Sequence, residues 1–111
     1  MEYPGYSLYE GKPSEETIFE DSEALLKFCR ATLGFESQKI MVVGRSLGSG
    51  PAIYLTSRHR VGMLTLISPF MSVRAAAKDI VGSIGQYFIN ERFDNLSRAE
   101  QIKCSTLLIH G

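Results

Sequence analysis

Apolar residues recur at helical spacing in the first third of the chain. Ile18, Leu25 and Cys29 fall along one line with Phe19, Leu26 and Leu33 beside it, while Glu20, Glu23, Lys27 and Arg30 fall largely elsewhere. This predicts an amphipathic helix over residues 14–33, capped by Ser14. Glu15 and Glu16 are favourably placed at its positive end, and Gly34 supplies a stop. Residues 39–43 follow as a short apolar run without polar alternation, the pattern of a strand covered by helices on both faces. A second helix is predicted over 47–58, with a local distortion at Pro51, which lacks an amide donor. Residues 61–67 form another apolar strand that exits through Ser68-Pro69-Phe70. Residues 72–84 read as a helix, weakened near its end by Gly82 and Gly85. Ser97 and Glu100 have the spacing of a capping box for a short helix ending near Ile102, and residues 106–109 form a third strand. Strands alternating with helices predict an α/β fold: a three-stranded parallel sheet, in the order 39–43, 61–67, 106–110, with flanking helices.

Composition narrows this picture. An α/β enzyme domain commonly runs to about 200–250 residues, so a chain of 111 residues reads as a central fragment, over 1–111, of one such domain. At 44% hydrophobic and 22% charged it is ordinary globular protein. Twelve basic residues balance twelve acidic ones, which removes any electrostatic reason to expect nucleic acid as a partner. No apolar run reaches the roughly 18 residues of a membrane span, and the N-terminus, with neither basic start nor apolar core, is no signal peptide. Cys29 and Cys104 are expected as buried, reduced thiols. No disulfide, metal or cofactor is expected.

The chemistry concentrates at Gly44-Arg45-Ser46-Leu47-Gly48, a G-x-S-x-G entered from a strand and leading into a helix. A serine at the apex of such a turn stands clear of the sheet, where a carbonyl can reach it. The apex backbone is strained, and flanking glycines relieve the crowding. The amide of Leu47, at the opening of the helix, is aimed where a tetrahedral oxyanion would form. The overlapping Gly44-x-x-x-Gly48-x-Gly50 also fits the glycine-rich turn of an NAD(P)-binding short-chain dehydrogenase. Against that, the next strand ends Leu66-Ile67-Ser68-Pro69 without an acid for the ribose, and no tyrosine has lysine four residues on. A third reading keeps the fold as a non-catalytic scaffold. His59, flanked by Arg58 and Arg60, reads as a solvated residue at a helix end, and His110 as a structural residue closing the third strand.

Further stretches carry a resemblance. Tyr3-Pro4-Gly5-Tyr6, Gly11-Lys12-Pro13-Ser14, the elbow from Val43 to Gly48, Ser68-Pro69-Phe70, and Ile102-x-Cys104 to Gly111 together resemble the α/β-hydrolase domain-containing 17 type of protein depalmitoylases. They also resemble the Bem46-like and serine-aminopeptidase-like relatives of that group. The resemblance implies a serine hydrolase acting on ester or thioester bonds through an acyl-enzyme. Ser46 would be the nucleophile, Leu47 one oxyanion donor, and Gly44 and Gly48 the shapers of the elbow. Palmitoyl-protein thioesterase activity leads this reading, and a small-ester carboxylesterase or aminopeptidase-like enzyme shares the same residues. The substrate would be a small acyl ester or an acylated protein. The triad aspartate and histidine, and the loop giving the second oxyanion amide, would lie outside these residues, leaving the 111-residue chain inactive by itself. Residues 70–103 leave room only for a small lid, and therefore an open site. Location would be intracellular, cytoplasmic or membrane-peripheral, through parts of a longer protein.

Overall fold

A computed structural model describes Met1 and residues 14–69 and 95–110. Helix α1 spans Glu15–Lys27 and starts as the sequence predicts. The Ser14 hydroxyl accepts from the Thr17 amide at 3.0 Å, and the Thr17 hydroxyl reciprocates on the Ser14 amide. Both ends of the first turn are thereby satisfied. The helix continues beyond Lys27 as a wider π-type turn over Phe28–Thr32, where the Leu33 amide donates to the Phe28 carbonyl. Gly34, at φ 71°, ends it in the left-handed conformation that glycine adopts without steric cost.

The buried stripe of α1 differs from the one periodicity suggested. Ile18, Phe19, Ser22 and Leu26 face inward, while Leu25 is 46% exposed and Cys29 half-buried. The small Ser22 lets α1 approach closely, and its hydroxyl finds the Phe19 carbonyl at 2.7 Å. Cys104 is likewise half-buried rather than buried, and both thiols are free.

Strand β1 covers Met41–Arg45, two residues later than expected, after a single 3₁₀ turn over Ser37–Lys39. Helix α2 spans Ser49–Arg58, preceded by a 3₁₀ turn over Ser46–Gly48. Pro51 lies in the first turn of α2, where a missing amide costs little, so the irregularity falls before the proline rather than on it. Strand β2 is Met63–Ile67 and β3 is Ser105–Ile109. Between them α3 covers Asn95–Ala99, so Ser97 sits inside that helix rather than capping it. Turns at Gln101 and Ile102 close onto the carbonyls of Arg98 and Ala99. The loop at residues 3–13, the helix expected over 72–84 and most of the expected lid lie outside the described residues.

The sheet is parallel with strands in the order β1-β2-β3, as predicted. Met41 to Arg45 pair with Met63 to Ile67, and these pair with Ser105 to Ile109. Alternation along paired strands sets two faces. On one face Val42, Leu64 and Leu66 pack under Ala52 and Ile53 of α2, and Leu26 of α1 joins Leu55, Val61 and Ile40 beside them. The three helices interlock away from the sheet. Phe19 of α1 stacks on Tyr54 of α2 at 3.8 Å between ring centroids, with Arg98 of α3 4.8 Å above Phe19. The Arg98 guanidinium also reaches the Glu15 carboxylate at 3.1 Å.

The other face carries Met41, Val43, Thr65, Leu107 and Ile109, and the Thr65 hydroxyl lies 3.8 Å from the Met41 sulfur across it. Met41 and Val43 are more than half exposed there. The described helices pack on the first face, and the helix expected over 72–84 lies outside the described residues. No helix among those described is long and apolar enough to cross a membrane.

Candidate active site

The carboxyl end of β1 builds the site. Gly44 occupies the fourth position of the strand, opposite Leu66, and the chain crosses directly beneath its own following helix. A Cβ at Gly44 would lie 2.7 Å from the Ala52 Cβ, 2.7 Å from the Gly48 carbonyl oxygen and 2.9 Å from the Ser49 Cα. Side chains do not tolerate such distances, so a residue other than glycine here would push α2 off the strand. Gly48, by contrast, has φ −64° and ψ −11°, an ordinary helical conformation that makes no demand for glycine. The crowding expected around the elbow is seen directly at Gly44.

Ser46 stands at the apex with φ 47°. Non-glycine residues rarely take this conformation, which costs on the order of 1–3 kcal/mol and persists only where surrounding contacts enforce it. The contact seen at this residue comes from Ser49, which the pattern along the chain did not single out. Its side chain is fully buried, its hydroxyl donates to the Ser46 carbonyl at 2.6 Å, and its amide reaches the same oxygen. A serine three positions beyond the apex, in the first turn of a helix, carries the signal that could have found it, because short hydroxyl side chains bond back to carbonyls three residues earlier. Ser46 itself is exposed, and Leu47 opens the 3₁₀ turn that leads into α2.

The histidines lie elsewhere. His59 caps the far end of α2, and a ten-residue helix places it about 15 Å from the turn. It stands at the helix end as expected, partly exposed, and its Nε2 pairs with the Glu23 carboxylate of α1, which Arg58 also approaches at 3.7 Å. The wide groove lined by Glu23, Lys27, Arg30, Phe35 and His59 opens at that end, near the start of β1 and away from Ser46. His110, exposed, follows β3 two strands from Ser46. No group of three or more metal-ligating side chains gathers among the described residues.

Comparison with known proteins agrees with this geometry. No family model matches the chain. The α/β hydrolase domain-containing protein aho-3 of Caenorhabditis elegans is 33% identical over 110 residues, 99% of this chain and 32% of that protein. The human α/β hydrolase domain-containing protein 17C is 30% identical over 111 residues, again 99% of this chain and 32% of the relative. The chain thus spans about a third of the length of these relatives. The crystal structure of an α/β hydrolase from Vibrio vulnificus superposes with a TM-score of 0.77 at 21% identity, covering 96% of this chain and 43% of that one. Strand order, the glycine-enforced crossing at Gly44 and these matches agree: the chain has the α/β-hydrolase fold and resembles, over its whole length, a third of the α/β hydrolase domain-containing 17 proteins.

Proposed function

We propose that the protein is a serine hydrolase that cleaves ester or thioester bonds through an acyl-enzyme on Ser46. The observation that carries this reading is the left-handed conformation of an exposed serine between β1 and α2, held by the buried Ser49 hydroxyl. Strain of this kind is retained where it aims a reactive side chain. The Ser46 Oγ attacks the substrate carbonyl carbon and its proton passes to a general base. The tetrahedral oxyanion forms against the Leu47 amide and the positive start of α2. Collapse breaks the carbon–sulfur or carbon–oxygen bond, and the leaving thiolate or alkoxide takes the proton. Water then repeats the sequence and frees Ser46. In this reading the base, its carboxylate partner and a second oxyanion donor come from outside these 111 residues; the pairing of His59 with Glu23 at the far end of α2 supports that for His59.

For the substrate we infer an acylated protein, with palmitoyl thioester hydrolysis as the leading activity. The similarity to the α/β hydrolase domain-containing 17 proteins supports that choice. In the intact protein, a fluorophosphonate probe should label Ser46 covalently, and Ser46→Ala should abolish labelling, as read by mass spectrometry of the modified peptide. Equal labelling of the alanine variant would remove Ser46 from the mechanism. An unlabelled wild-type protein would leave a scaffold with the fold and no chemistry.

A further inference from the structure

Two residues other than glycine adopt positive φ among those described: Ser46 at 47° and Ser68 at 45°. The register places them side by side. Arg45 pairs with Ile67, so Ser46 and Ser68 each follow the last paired residue of adjacent strands, whose backbones lie about 4.8 Å apart. Ser68 is exposed like Ser46, and both face the carboxyl edge of the sheet, where parallel α/β folds place ligands.

Among the described residues no side-chain contact accounts for the strain at Ser68. Glycine, asparagine or aspartate would take this conformation more cheaply. Pro69 next in the chain adds a further restriction, since a residue before proline is normally extended. Its amide cannot serve a substrate, because it donates to the Ile109 carbonyl at 2.7 Å as the last rung between β2 and β3. The hydroxyl is what remains. That rung anchors the backbone from which the hydroxyl extends, beside the serine that carries the proposed chemistry.

We propose that Ser68 is a substrate-contacting, specificity-determining residue. Its hydroxyl hydrogen-bonds the ester or thioester substrate next to the carbonyl attacked by Ser46. This rests on the acyl-enzyme reading given above.

The test uses the intact protein with Ser68→Ala and Ser68→Gly. Alanine removes the hydroxyl and keeps the strain; glycine removes the hydroxyl and relieves the strain, so it should fold at least as well. One lost hydrogen bond to substrate predicts that both variants fall about tenfold in kcat/KM on an acyl thioester. Labelling of Ser46 by a small fluorophosphonate, which lacks the substrate's flanking groups, should stay within about twofold of wild type. Splitting kcat from KM then shows whether the bond is made to the bound substrate or only in the transition state. Turnover within twofold of wild type in both variants would overturn the proposal. So would a loss confined to alanine, which would assign the effect to the backbone. Failure of the wild type to label at Ser46 would instead overturn the acyl-enzyme reading, and this inference with it.

Discussion

A single side chain, Ser49, ties the carbonyl of the strained Ser46 to the start of α2. Its hydroxyl is buried and spent on the Ser46 carbonyl, so it contributes in the range of one buried hydrogen bond, about 1 kcal/mol. Ser49→Ala should lower the unfolding free energy by about that amount and also slow fluorophosphonate labelling of Ser46 several-fold. Urea titration and labelling kinetics in the intact protein check the two effects separately. A lower stability with unchanged labelling would show that the bond holds the helix start and not the apex. At this scale the sequence was legible where a residue type has few other uses. Gly44 was readable because only glycine fits beneath Ala52 and Gly48. The Ser46 position was readable from its spacing to Gly44. Ser68 was legible only as part of the Ser68-Pro69-Phe70 strand exit, since nothing in its neighbours along the chain shows that it will follow a strand paired with the one before Ser46.

The helices are joined by contacts that no local pattern encodes. Arg98 of α3 lies over the Phe19 ring of α1 and within 5.7 Å of the Tyr54 ring centre of α2, while its guanidinium meets Glu15. Its side chain is 26% exposed, so the ion pair and the ring contacts are partly shielded from water. Arg98→Ala should therefore cost about 1–2 kcal/mol, more than a surface ion pair. Arg98→Lys should recover only part of that, since an ammonium cannot lie flat on the ring. Chemical denaturation of the intact protein reads both. A loss under about 0.5 kcal/mol for alanine would show that the stack holds without its cover.

The elements themselves were largely visible in the sequence, and their boundaries less so. Ile40 and Val61 look like strand residues, yet they enter the cluster with Leu26 and Leu55 just before pairing begins at Met41 and Met63. Just before the ladder the Gly62 amide bonds the Ile40 carbonyl, and the chains run so close that a Cβ at Gly62 would collide with the Gln38 carbonyl. At the other end, Gly44 and Arg45 remain in the ladder despite glycine's weak preference for strands, because pairing with Leu66 and Ile67 holds the crossing in place.

At the scale of the molecule, β1 and β3 are both edge strands, and every residue of β3 is exposed. Leu107, Leu108 and Ile109 on one edge, and Met41 and Val43 at the other, accompany backbone groups with no strand beyond them among the described residues. Such edges pair with other chains. The 111-residue chain expressed by itself should therefore self-associate and unfold with low cooperativity, as read by size-exclusion chromatography and urea melts. A stable monomer with a sharp two-state transition would show that the described helices bury enough of the sheet for independence.

The amino-acid sequence alone determined the alternation of strands and helices, the parallel order that alternation implies, and the turn that carries Ser46. Each depends on residues within a few positions of one another, through periodicity, capping and steric room. The tertiary structure decided which stripe of α1 is buried, the pairing of His59 with Glu23, the clamp of Arg98 across three helices, and the juxtaposition of Ser46 with Ser68. These relations join residues far apart along the chain, from 36 positions for His59 and Glu23 to 83 for Arg98 and Glu15. Their formation depends on sheet register and helix packing, which no local preference specifies.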